Sequence, residues 1–177
     1  MKSKQENLLR ISSGLVIAFF LVLHLFNASL GIFSLRTMDA LGDILVAFWS
    51  FPIMQLLLYT AFTMHIGLMF VSLYRRRSLR MPTWNLIQFA MALAMPILLL
   101  AHVAGTRGTY ELLDISRNYT SVVSGLWSRP SGVVRQYILL ALAWTHMSIG
   151  ILYWLRHKPS YSRWVAVLYP LCLIIPL

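Results

Sequence analysis

Long apolar runs recur along this chain, and the first four of them each contain one histidine. The runs extend from about Ile11 to Phe33, Phe51 to Tyr74, Trp84 to Ala104, Gln136 to Leu155 and Trp164 to Leu177. A hydrocarbon core of ~30 Å takes about 20 apolar residues in helical form, and backbone exposed to lipid has no other way to satisfy its hydrogen bonds within one segment. The pattern therefore predicts an all-α integral membrane protein, a helical bundle of five transmembrane spans that forms a single membrane-embedded domain over residues 1–177. A composition of 59% hydrophobic and 11% charged residues agrees and lies far from the soluble norm. The fifth run has 14 residues, short of a crossing unless its flank from Tyr161 contributes, so the chain is expected to continue beyond Leu177. The first run is too long for the apolar region of a signal peptide and no small-residue cleavage pattern follows it, which predicts a retained span.

The net charge of +10 sits in short clusters between the apolar runs, where it sets topology and meets anionic lipid headgroups; no basic face for nucleic acid is formed. Lys2, Lys4, Arg10, Arg75, Arg76, Arg77, Arg80, Arg156, Lys158 and Arg163 fall on one side with Glu6. Arg36, Arg107, Arg117, Arg129 and Arg135 fall on the other with Asp39, Asp43, Glu111 and Asp114. The richer side is cytoplasmic by the positive-inside rule, and the N-terminus with it. The outer connection 106–135, with Tyr110, Tyr119 and Trp127, is longer than a turn requires and is expected to lie on the membrane surface over something beneath it.

His24, His65, His102 and His146 follow one another at intervals of 41, 37 and 44 residues, and no Asp, Glu, Lys or Arg accompanies them inside the spans. A histidine in a membrane helix either hydrogen-bonds a neighbouring helix or carries function. Four of them without acidic or basic partners suit bis-histidine ligation, in which two imidazoles from facing helices take the axial positions of one haem iron. Cys172 is alone and there is no C-x-x-C-H, so any haem is held non-covalently. Depth suggests the pairing. His65 lies ten residues from Arg75 and His146 ten from Arg156, in both cases ~15 Å of helix. His24 is fourteen residues from Arg10 and His102 eighteen from Trp84, or ~21 and ~27 Å. The expected pairs are His65 with His146 nearer the inner face and His24 with His102 nearer the outer one, with helix tilt and a kink at Pro96 absorbing the remaining ~6 Å. A metal held by the four histidines alone is the less favoured alternative, because no Cys or carboxylate completes a cage.

Gly31, Gly105 and Gly150 share a helix face with His24, His102 and His146, which would let a flat macrocycle approach the backbone, although glycines also pack membrane helices without any ligand. Gly67 does not share the face of His65. Arg36 and Arg107 are candidate partners for the propionates of an outer haem, and Arg75 or Arg156 for those of an inner one. His157, between Arg156 and Lys158, reads as a solvated interfacial residue. Two haems at two depths make an electron path whose simplest partner within lipid is a quinone. Asn27, on the face of His24, with Arg107 and Tyr110 beyond His102, are its candidate contacts, although Asn27 can equally bond a neighbouring helix.

These histidines, in the first four spans of five, are similar to those of the di-haem cytochrome b anchors of succinate dehydrogenases and fumarate reductases. The stretches HLFNASLG from His24, YRRRSLRMPTW from Tyr74 to Trp84 and LLLAHVAGTR from Leu98 to Arg107 resemble more closely the succinate-dehydrogenase-like membrane anchor of certain bacterial class III adenylate cyclases. The likeness runs from about Arg10 to Pro170. The resemblance implies two haem b groups, exchange with the quinone pool, a bacterial cytoplasmic (inner) membrane, and a homodimer that passes the redox state to a C-terminal cyclase domain. That family has six spans followed by its cyclase, whereas this sequence stops in the fifth and contains no catalytic domain. Relatives often read HLLNHALG, and where they have the second histidine this chain has Ala28. Two other readings stay open: an electron-transfer subunit of a succinate:quinone oxidoreductase-type complex with associated soluble subunits, and a bundle whose histidines serve packing or proton movement without haem.

Overall fold

A computed structural model describes residues 4–78, 80–115, 118–156 and 158–174, and among these every regular element is helical. In chain order the helices are α1 (Lys4–Ser29), α2 (Leu35–Ser50), α3 (Pro52–Tyr74), α4 (Thr83–Val103), α5 (Thr109–Leu113), α6 (Tyr119–Trp127), α7 (Pro130–Leu155) and α8 (Tyr161–Ile174). Their boundaries follow local chemistry. α1 tightens into a 3₁₀ turn over Leu30–Ile32, and Ser34 then caps α2 by accepting a hydrogen bond from the Thr37 amide at 3.0 Å. α2 stops at Phe51, which stands before a proline and is extended. Pro52 and Pro130 each occupy the first turn of a helix, where their missing N–H costs nothing, while Pro82 stands at the N-cap of α4. Pro96 lies inside α4, which continues past Val103 through a π-helical turn over Ala104–Gly108 into α5.

Four helical segments are long and apolar enough to cross a membrane: residues 4–32, 52–74, 83–113 and 130–155. Their burial is inverted relative to a water-soluble bundle. The buried residues of α1 are Ser13 and Asn27, whereas Phe19, Val22 and Phe26 are exposed on the same helix. Leu56, Ile97 and Leu100 are about 70% exposed or more, as side chains solvated by lipid tails are. α8, with 14 residues, is shorter than the four spanning segments.

α1 packs chiefly on α3 and α4 on α7, while the α1–α7 and α3–α4 contacts are thinner. The four spanning helices therefore form two tight pairs that face one another across two thin seams. α1 and α4 lie on one diagonal of the bundle, α3 and α7 on the other. Lipid supplies no hydrophobic drive between helices, so polar bonds matter within each pair, at roughly 0.6–2 kcal/mol apiece. Arg10 donates to Ser72 Oγ at 2.7 Å and to the Leu68 carbonyl at 3.2 Å, and Arg75 pairs with Glu6, all between α1 and α3 or its C-cap. Tyr153 on α7 donates to Asn85 Oδ1 on α4 at 2.9 Å. The N-terminus of α1 and the connections after α3 and α7 lie at this basic end.

The sequence between the first two apolar runs is α2, an amphipathic helix that buries Met38 and Gly42 and packs on α1, α3 and α6. The long connection 106–135 is largely helical too. Its α6 rests on α2 and α7, tied to α2 by a 2.8 Å bond from Thr120 Oγ1 to Asp39 Oδ2. Together α2 and α6 cover the end of the bundle opposite the basic one.

Candidate functional site

Both diagonals of the bundle carry a pair of facing imidazoles. His24 of α1 and His102 of α4 have ring centres 5.9 Å apart with planes at 77°. His65 of α3 and His146 of α7 are 6.3 Å apart at 86°. These are the two pairs expected from depth. Because the helices of each pair are diagonal neighbours, both sets of rings lie on the central axis of the bundle.

Aromatic packing positions the pair near α2 and α6. Phe20, one turn before His24, stacks nearly parallel on its ring at 5.7 Å and is met edge-on by Trp49 of α2 at 5.3 Å and Phe62 of α3 at 6.4 Å. In the π-helical turn beyond α4, Thr106 donates to the His102 carbonyl at 2.8 Å, and the His102 ring is hydrogen-bonded to the Gln136 side chain of α7. The other pair is positioned by hydrogen bonds. His65 Nδ1 is 3.1 Å from Ser13 Oγ on α1, and Gln88 of α4 donates to the His146 carbonyl at 2.9 Å. Ser13 precedes His24 by eleven residues, which sets the two pairs about 16 Å apart along α1.

The remaining candidates divide. Arg107 and Tyr110 are brought together, with the guanidinium carbon 5.1 Å from the ring centre. Arg107 also donates to Ser50 Oγ at the end of α2 at 2.9 Å and pairs with Glu111. Asn27 is completely buried, and neither amide atom has a hydrogen-bond partner, so it bonds neither Arg107 nor Tyr110. Arg36 is exposed, Arg75 is engaged by Glu6, and Arg156 lies over the Tyr153 ring at 5.1 Å. Gly105 looks onto open space, as the backbone of a ligand-facing residue can. Gly31 does not: a Cβ there would stand 3.0 Å from Met38 Sδ, so this glycine admits α2 and leaves no open face. Gly150 faces Gln88 at 3.8 Å. His157 lies outside the described residues.

Ser13, Gly14, Phe20, Trp49 and Gln88 belong to the site without having been singled out from the sequence. A signal existed for two of them. Ser13 is eleven residues before His24 and Gln88 fourteen before His102, about three and four whole turns, so each shares the face of its helix's histidine.

Two imidazoles that bind one metal on a common axis have ring centres about 6.2 Å apart, from two bonds of about 2 Å and about 1.1 Å from nitrogen to ring centre on either side. The observed separations are 5.9 and 6.3 Å. Among the described residues no group of three or more His, Cys, Asp or Glu side chains could hold a metal ion by itself. Each pair has about the spacing of two imidazoles that would share one metal. Compared with known protein families, curated proteins and solved structures, the chain matches none.

Proposed function

We propose that this chain is a di-haem b membrane anchor that exchanges electrons with the quinone pool. The observation that carries the proposal is the pair of imidazoles brought together on each diagonal, at the spacing of two rings that share one metal. His24 and His102 hold one haem, His65 and His146 the other. Bound there, each haem supplies a reversible one-electron couple tuned by its axial ligands and their hydrogen bonds. The chain's own part is to orient the imidazoles, exclude water and bring the two sites within about 16 Å of each other along the bundle. Arg107 and Gly105 serve the haem near α2 and α6.

Asn27 offers an unpaired donor and acceptor one turn from His24, which suits the oxygen of a quinone head group. Arg107 over Tyr110 forms a second polar contact at the same end. The basic end faces the cytoplasm, as its excess of cations favours, in the inner membrane of a bacterium. The HLFNASLG, YRRRSLRMPTW and LLLAHVAGTR stretches support a role as the redox-sensing module of a homodimeric, membrane-bound class III adenylate cyclase. An electron-transfer subunit of a succinate:quinone oxidoreductase-type complex would use the same haem pairs. A flavoprotein and an iron-sulfur protein encoded next to this chain would favour that role over the cyclase one.

A reduced-minus-oxidised spectrum of the purified protein, with haem quantified, tests the proposal. Two haem b per chain are expected. His65→Ala or His146→Ala should remove one haem and His24→Ala or His102→Ala the other. A chain without haem, or equal loss of both haems from every variant, would overturn it.

A further inference from the structure

Ser13 Oγ lies between two groups of different hydrogen-bonding character. It is 3.2 Å from the Arg10 carbonyl and 3.1 Å from His65 Nδ1. The carbonyl can only accept, and Ser13 donates its single hydroxyl proton to it in the arrangement that satisfies both contacts. Ser13 Oγ can then only accept from the ring, which puts the ring proton on Nδ1 and leaves Nε2 with its lone pair. Ser13 is itself 95% buried. Gly14 completes the seat, since a Cβ there would stand 3.2 Å from His65 Cε1 and 3.6 Å from Nδ1. The partner imidazole has no such support: His146 Nδ1 is buried without a hydrogen-bond partner, and the amide of Gln88 is spent on the His146 backbone carbonyl.

We infer that Ser13, with Gly14, is a positioning residue that holds His65 as its Nδ1–H tautomer and presents Nε2 as the ligand atom, a role that rests on the haem reading above. A hydrogen bond accepted from Nδ1–H makes an imidazole the more basic ligand. His65 is therefore the stronger donor of its pair, and the bond favours the oxidised state of the iron it binds.

The test compares the full chain with Ser13→Ala and Ser13→Thr, using ¹⁵N-labelled histidine in the fully reduced, diamagnetic protein together with a potentiometric titration of both haems. Wild type should show a hydrogen-bonded Nδ1–H on His65 that Ser13→Ala loses and Ser13→Thr keeps. In Ser13→Ala the potential of the haem that His65→Ala removes should move to a more positive value and recover in Ser13→Thr. The other haem should keep its potential and content, which also shows that the variant folds. An unchanged His65 signal or potential in Ser13→Ala, or an equal shift of both haems, would overturn the inference. A chain that binds no haem at all would sink the haem reading instead, and the Nδ1–H signal would still decide the role of Ser13.

Discussion

His24 and His65 are steadied by different chemistry, a stacked phenyl ring in one case and a serine hydroxyl in the other. The histidines themselves were legible in sequence, because an imidazole in an apolar run is rare and its depth can be counted from the nearest charged end. Their supports were legible only in part, since Ser13 and Gln88 reveal themselves by helical phase but Trp49 sits in an element that the apolar pattern did not mark. Gly31 misled for a physical reason: small residues in membrane helices admit neighbouring helices as readily as ligands, and here it admits Met38. Asn27 gives the sharpest expectation at this scale. Leaving a buried amide unpaired costs about 1–3 kcal/mol, so Asn27→Leu should raise the melting temperature of the detergent-solubilised protein in the absence of quinone. It should also abolish the further rise that added quinone gives the wild type. A lower melting temperature for the variant would show that the amide is satisfied within the chain.

α2 shows why the spans were easier to read than what joins them. A spanning helix is apolar all round and announces itself by length, whereas α2 mixes Arg36, Asp39 and Asp43 with a buried Met38 and reads as a loop to any test based on apolar runs. It is nonetheless the element that backs the ring stacked on His24, through Trp49 against Phe20. An aromatic edge contact contributes about 0.5–1.5 kcal/mol beyond its buried area. On the proposed ligation, Trp49→Ala should therefore lower occupancy of the haem assigned to His24 and His102 while leaving the other intact, read from haem content per protein. Ser34→Ala removes the cap of α2 and should cost about 1 kcal/mol, visible as a lower melting temperature with the same bias toward the site of His24 and His102. Equal loss at both sites would mean that α2 braces the whole bundle and not one end of it.

Across the whole molecule, the helix pairing α1 with α3 and α4 with α7 could not be read from the chain. Apolar faces that meet lipid and apolar faces that meet protein look alike in sequence, and only the polar contacts, such as Arg10 with Ser72, tell them apart. The thin seams between the two pairs have a consequence for how the molecule is assembled. Helices α1 to α3 form one half and α4 to α8 the other, and each half contributes one imidazole to each diagonal. The halves also meet through Asp39 with Thr120 and Ser50 with Arg107. A ligand that binds only the assembled state stabilises it by an amount that grows with the logarithm of its affinity. On the proposed haem ligation, severing the chain within residues 75–82 and producing both pieces together should thus give a complex that forms when haem is supplied and falls apart when haem synthesis is blocked, as judged by co-purification through a tag on one piece. Each diagonal then behaves as a clasp with one hook on either side, and the single polypeptide as a heterodimer whose two subunits happen to share a loop.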